Sequence, residues 1–238
     1  MEKKQTGQSK VIKWTVLESA DDVARGVVDR ISEAAAVAIQ ERGCFSIVLA
    51  GGTTPAMAYR MLAGTQQDWS AWRVFLGDER CLPVDHPERN STLIRRALLD
   101  CVSIPQDHVY MIPAELGAEQ AAGDYAAIVE SHLPFDMVLL GMGEDGHTAS
   151  LFPGHRHDAG QLVHAVHHAP KPPADRVSLS ARALGRCRNL VYIVTGSAKQ
   201  WAIRQWRQGD LLPVNSIRPM ALAEVLLDAA ASGDPGPA

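Results

Sequence analysis

The sequence predicts an α/β protein: a single domain whose mostly parallel sheet is covered by helices on both faces. Three observations carry that prediction. Short apolar runs alternate along the chain with longer segments of helical periodicity. The apolar runs are continuous rather than alternating, the pattern of strands buried on both faces. Polar, mostly glycine-bearing segments follow several runs directly, where a parallel sheet turns into its next helix.

In chain order, Val11–Leu17 reads as the first strand. Asp21 or Asp22 can cap the next helix, in which Val23, Val27, Ile31, Ala34 and Ala38 recur at helical spacing and which Gly43 ends. Further strands are expected at Phe45–Ala50, Arg73–Leu76, Phe135–Leu140 and Leu190–Val194. Helices are expected at Pro55–Leu62, Ser91–Leu99, Glu119–His132 and Ala198–Arg207, with Asn90 or Ser91 capping the second of these. Between Gly154 and Asp175, many His and Pro residues break the alternation and predict a long loop around a short strand. The run Arg176–Ser180 is strand-like, and Val225–Leu227 suits either a last edge strand or part of a helix. No linker, repeat or low-complexity stretch divides the chain, so residues 11–231 are expected to form one domain between a flexible start (1–10) and a flexible tail (232–238).

With 46% hydrophobic and 21% charged residues, the 238-residue chain has the make-up of an ordinary globular protein. A formal net charge of -4 gives no general attraction to nucleic acid or to an anionic membrane, so an anionic ligand needs a local site. The basic stretch Met1 to Lys13 lacks the apolar core of a signal peptide, and no apolar run is long enough to span a bilayer. The cysteines (Cys44, Cys81, Cys101, Cys187) are scattered without a CxxC pair, which points to reduced thiols and a cytoplasmic location.

Four polar segments fall after predicted strands and hence at one edge of a parallel sheet. Gly51-Gly52-Thr53-Thr54-Pro55 combines close backbone approach, a capping hydroxyl at Thr54 and a proline suited to a first helical turn. It suits a phosphate held at a helix start, and equally a plain strand-to-helix turn. Asp78-Glu79-Arg80 is either a structural ion-pair cluster or an arginine, oriented by carboxylates, that polarises a carbonyl or holds an anion. Gly143-Glu144-Asp145-Gly146-His147 sets a carboxylate beside a histidine able to act as a base near neutral pH; a loop histidine bonded to backbone is the plainer reading. Gly196-Ser197-Ala198-Lys199 places a cation in the first turn of a helix, where the dipole disfavours it unless an anion is bound there; taken alone, a solvated surface lysine is the favoured reading. His155, His157, His164, His167 and His168 fit no metal-ligand spacing, and Trp69, Trp72, Trp201 and Trp206 read as packing residues.

The ordered blocks LAGGTTP, FLGDERCLPVDHPERNS, FDMVLLGMGEDGHTASLFPG, RVSLS and VTGSAKQ resemble the 6-phosphogluconolactonase family, a match covering roughly Phe45 to Pro219. The related glucosamine-6-phosphate deaminases share the glycine turn and the Asp-Gly-His element. They continue differently after it and usually carry Asp-Glu-Tyr where this chain has Asp78-Glu79-Arg80. Thr53 stands where many family members have serine. The resemblance implies a Rossmann-like fold related to the deaminase and ribose-5-phosphate isomerase group. It also implies hydrolysis of a phosphorylated sugar lactone in the oxidative pentose phosphate pathway, with no cofactor or metal and a monomer or small homo-oligomer. In it His147 is the general base, Asp145 positions that base or its substrate, and Arg80, Arg176 and Lys199 meet the phosphate or the carbonyl. Gly51, Gly52, Thr53, Thr54, Asp78, Glu79 and Gly146 complete the expected substrate-binding set. An amino-sugar phosphate deaminase and a non-catalytic sugar-phosphate sensor are the alternatives. The first would want a glutamate that the stretch after His147 lacks, and the second would be expected to have lost His147 or Asp145.

Overall fold

A computed structural model describes residues 12–156 and 158–233. The expected flexible start (1–10), Val11, His157 and the tail beyond residue 233 lie outside the described residues. Strands and helices follow in the order β1 (Ile12–Leu17), α1 (Ala20–Arg42), β2 (Phe45–Leu49), α2 (Thr53–Ala63), β3 (Trp72–Leu76), β4 (Asp78–Arg80), α3 (Asn90–Ala97), β5 (Val109–Tyr110), α4 (Ala118–His132), β6 (Phe135–Gly141), β7 (Val163–Val166), β8 (Arg176–Leu179), α5 (Ala181–Gly185), β9 (Cys187–Val194), α6 (Gln200–Gln208), β10 (Leu222–Asp228) and α7 (Ala229–Ser232).

Local chemistry accounts for α1, with one correction. Ser19, not Asp21 or Asp22, is the cap: its Oγ accepts from the Asp22 backbone N–H at 3.2 Å. The two aspartates sit in the first turn instead, where negative charge offsets the helix dipole. Gly43 closes the helix with φ 72°, a conformation that costs glycine little. Val23, Val27, Ile31 and Ala38 are fully buried as the periodicity predicts, while Ala35 takes the deep position expected of Ala34.

The main sheet has seven strands in the order β1-β10-β9-β6-β2-β3-β5, and every pairing in it is parallel. All five residues of β2 are buried, as a strand covered on both faces requires. The chain steps from β2 outward to β3 and β5 and then returns to β6 on the other side of β2, which makes a topological switch point beside β2. The expected alternatives for Val225–Leu227, an edge strand or a helix, both give way to an inner strand, because β1 takes the edge and pairs with β10 along its whole length. Phe45 and Trp72 meet edge to face at 4.8 Å within the core, and the Trp206 ring packs between Trp14 and Tyr192. Trp201, by contrast, is exposed.

Two tyrosines secure the ends of central strands. The Tyr59 hydroxyl accepts from Ala50 N–H and donates to Ala50 O, just past β2. The Tyr125 hydroxyl does the same for Leu76, the last residue of β3. Residues 78–80, expected as a loop, instead form a strand of a second sheet, β4-β8-β7, which is antiparallel. It pairs Arg80 with Arg176 and stands against the carboxyl edge of the main sheet, where Leu179 N–H reaches Gly77 O at 2.8 Å.

At the opposite edge, Glu224 near the start of β10 accepts from Thr15 Oγ1 at 2.8 Å and Arg30 Nε at 2.9 Å, with Lys13 Nζ at 2.9 Å. Burial raises the carboxyl, but Arg30, Lys13 and Thr15 outweigh it and hold its pKa at about 2, below the ordinary 4.5. A depressed folded-state value stabilises the protein above the unfolded value, and that stability disappears as pH falls from about 5 toward 2. The variant Glu224→Gln is therefore expected to melt below the wild type at neutral pH, with the gap in Tm closing across that acid window. Thermal melts at stepped pH check this.

Candidate active site

Gly51-Gly52-Thr53-Thr54 follows β2, Asp78 and Arg80 follow β3, Gly143–His147 follow β6 and Lys199 follows β9. These four strands are adjacent in the sheet, so their carboxyl ends surround one cavity of about 490 Å³. The cavity is lined by the glycine turn, Asp78, Arg80, His147, Arg176 and Lys199.

The histidine is positioned by its own turn. Gly143 N–H donates to His147 O at 2.8 Å and Gly146 N–H to Gly143 O at 3.1 Å, folding Asp145 back on His147. Asp145 Oδ1 accepts from the His147 backbone N–H at 3.1 Å and lies 2.5 Å from ring Nδ1. Burial pushes the Asp145 carboxyl up, but the hydrogen bonds from His147 outweigh it and hold the acid below its ordinary value. An ionised Asp145 can only accept, so Nδ1 carries the proton of this contact and Nε2 is the ring nitrogen not engaged by Asp145. A methyl group on Gly143 would come within 2.0 Å of Nδ1, so only glycine permits this packing. Phe152 supports the imidazole at 4.8 Å between ring centroids.

Opposite this turn, the Asp78 carboxylate is buried and accepts from Ser150 Oγ at 2.6 Å and Asn90 Nδ2 at 3.0 Å. Burial raises its pKa, opposed by the Ser150 hydrogen bond and by the charges of Arg80 and Arg176. Arg80 donates through Nη1 to Glu88 O, while its buried Nε has no partner among the described residues. Arg176 is 5% exposed; burial lowers its pKa, and its guanidinium lies 5.6 Å from the Phe152 ring centroid.

A sequence profile described as "Glucosamine-6-phosphate isomerases/6-phosphogluconolactonase" matches residues 18–226. The chain belongs to that family. A 6-phosphogluconolactonase of Synechocystis is 38% identical over 177 residues, covering 70% of this chain and 72% of its own. A probable chloroplastic 6-phosphogluconolactonase of Oryza sativa subsp. indica is 34% identical over 224 residues, covering 84% and 69% respectively. The crystal structure of 6-phosphogluconolactonase from Thermotoga maritima superposes with a TM-score of 0.86 at 28% identity, covering 92% of this chain and all of that one (100%).

Within the family fold, the expected site residues divide by placement. His147, Arg80, Asp78, Arg176, Lys199 and the turn Gly51–Thr54 reach the cavity wall, whereas Asp145 stands behind His147. Glu79 and Gly146, expected to bind substrate, are placed elsewhere. Gly146 has φ 79° and packs closely on Leu212, shaping the turn from outside the cavity wall. Glu79 is fully buried and accepts from the backbone N–H groups of Arg80, Asn90 and Ser91, each at 2.8 Å. It therefore caps α3 from another strand, in place of the expected Asn90 or Ser91 cap. Thr54 does not cap α2 either: Gly52 precedes that helix, and Thr54 Oγ1 lies 2.7 Å from Thr195 Oγ1.

Asn90, Lys171 and Thr195 also line the cavity and were not singled out as site residues from the sequence. Asn90 has a legible counterpart in Gly51, because a Cβ there would sit 2.0 Å from Asn90 Oδ1. Lys171 had no local signal, since it arrives from the irregular connection between β7 and β8. That connection is clasped by Arg176, whose Nε donates to Pro173 O and whose Nη2 donates to Lys171 O and Pro172 O. Among the described residues no group of three or more His, Cys, Asp or Glu is arranged to hold a metal ion.

Glu79 also lies 3.4 Å from Nε of the buried Arg89, a contact without hydrogen-bond geometry. Neutralising it leaves Glu115 as the one carboxylate paired with Arg89 among the described residues, beside the carbonyls of Leu82 and Ile112, and weakens the helix cap. Glu79→Gln is expected to lower unfolding stability by about 3 kcal/mol, the order found for removing one member of a buried ion pair. Urea denaturation of both proteins measures the difference.

Proposed function

We propose that this chain hydrolyses 6-phospho-D-glucono-1,5-lactone to 6-phospho-D-gluconate, the lactonase step of the oxidative pentose phosphate pathway. One observation carries the reading: an imidazole oriented by a carboxylate shares its cavity with a glycine turn at a helix start and with Arg80 and Lys199.

The chemistry follows from that arrangement. His147 Nε2 takes a proton from a water molecule as the water oxygen attacks the lactone carbonyl. Asp145, bonded to Nδ1, holds the ring in the required tautomer and stabilises the imidazolium that forms. The tetrahedral oxyanion is met by Arg80, whose buried Nε has no partner among the described residues, with backbone N–H groups of the glycine loops beside it. Collapse of the intermediate breaks the bond from the carbonyl carbon to the ring oxygen, and the imidazolium returns its proton to that oxygen. The phosphate, held by the Gly51–Thr54 turn and Lys199, fixes the carbonyl next to the base, so remote binding energy supports catalysis.

The substrate is a small phosphorylated lactone. The proposed location is the cytoplasm, supported by the scattered cysteines Cys44, Cys81, Cys101 and Cys187, which lack a CxxC pair. No helix among the described residues is long and apolar enough to cross a membrane.

His147→Ala is expected to lower kcat by about 100-fold or more. The assay is disappearance of lactone generated by glucose-6-phosphate oxidation, corrected for spontaneous hydrolysis, and unchanged turnover would remove His147 from the mechanism. Lys199→Ala is expected to raise KM for the phosphorylated lactone about 10-fold or more with a smaller change in kcat, since a charge-assisted bond to phosphate is lost. Initial-rate kinetics over a range of lactone concentrations separate the two effects.

A further inference from the structure

Three charged side chains on the cavity wall are already matched to one another. Glu144, in the turn after β6, accepts a 2.6 Å hydrogen bond from Lys171 Nζ, and its other carboxylate oxygen lies 3.7 Å from Lys199 Nζ. All three line the same cavity as His147. The backbone that carries each lysine is anchored. Lys171 sits on the connection whose carbonyls Arg176 clasps, and Lys199 follows Gly196, whose N–H is held by Asp228 at 3.0 Å. The Lys171 hydrogen bond, with the charges of Lys171 and Lys199, draws the Glu144 carboxyl down to about 2, so it is ionised at neutral pH.

We propose that Glu144 is an affinity-setting residue, a built-in carboxylate that competes with the substrate's phosphate for Lys171 and Lys199. The inference rests on the lactonase reading for the identity of that substrate. It also adds Lys171 to the residues that take the phosphate.

The physical case turns on relative strength. The Glu144 side chain is 53% exposed, and those of Lys171 and Lys199 are 39% and 24% exposed. Ion pairs this open to water are weak, and each costs an incoming anion only a modest factor to displace. A phosphate group brings up to two negative charges and three acceptor oxygens, against one charge and two oxygens on Glu144, so it wins both lysines. The competition still weakens its hold. Such weakening suits a hydrolase whose product keeps the phosphate, because contacts equal in substrate and product slow release without lowering the barrier. Glu144 returning to the lysines then favours departure of the product.

The test uses the full chain and Glu144→Gln, which keeps the side chain's shape and removes its charge. Calorimetric titrations with inorganic phosphate and with 6-phosphogluconate are compared with KM and kcat for the phosphorylated lactone and for glucono-1,5-lactone. Glu144→Gln is expected to bind both phosphates about 3- to 10-fold tighter and to lower KM for the phosphorylated lactone by a similar factor. KM for glucono-1,5-lactone should move much less. In a Lys171→Met background the gain from Glu144→Gln should shrink, because one of the contested lysines is gone. Weaker or unchanged phosphate binding in Glu144→Gln would overturn the proposal, as would an equal KM change for the unphosphorylated lactone. The phosphate titrations need no turnover, so a wild-type chain that fails to hydrolyse lactone would refute the functional reading while leaving Glu144 judged on binding alone.

Discussion

The parallel direction of four adjacent strands is the constraint on which the rest depends. Because β9, β6, β2 and β3 run the same way side by side, whatever follows each of them arrives at one rim. A glycine turn, a carboxylate–histidine pair, an arginine and a lysine then meet without any long-range recognition among themselves. The hydroxyls of Tyr59 and Tyr125 bond both backbone groups of Ala50 and Leu76, so the ends of the two strands that carry the glycine turn and Asp78 are held firmly.

The electrostatic design at that rim works by distributing counter-charge. The chain has a net charge of -4, yet Arg80, Arg176, Lys171 and Lys199 all line one cavity. Each cation has a local answer. Asp78 lies near the two arginines, Glu144 answers the two lysines, and backbone carbonyls receive most of the Arg176 donors. Positive charge can thus be gathered for an anionic ligand without an uncompensated buried cluster. Arg176 shows the economy of the arrangement, since one guanidinium lines the site and also organises the connection that delivers Lys171.

Sequence reading and structure part company where a partner comes from far along the chain. Asp78-Glu79-Arg80 has poor strand propensity and reads as a loop, but pairing with Arg176–Leu179 makes it a strand. Glu79 looks like a site residue in a charged triplet, yet three backbone N–H groups, two of them from the start of α3, claim its carboxylate. Lys199 in a first helical turn reads as a solvated lysine or as one facing an anion, and the protein itself provides an anion in Glu144. Ser19 and the two aspartates after it are equally good caps by type, and only backbone geometry separates them.

By itself the sequence determined what local periodicity and short motifs encode: the alternation of strand and helix, the continuous burial of the central strands, and the polar turns that follow them. It also brought Asp145 and His147 forward as candidates, but that they touch was decided by the folded turn, in which Asp145 Oδ1 meets both the backbone N–H and ring Nδ1 of His147. Only the tertiary structure decided the strand order, the inner place of β10, the second sheet, and which charged residues face the cavity rather than cap a helix. Those outcomes depend on contacts between residues tens of positions apart, whose free energies are set by burial and pairing in the folded state and leave no periodic trace along the chain.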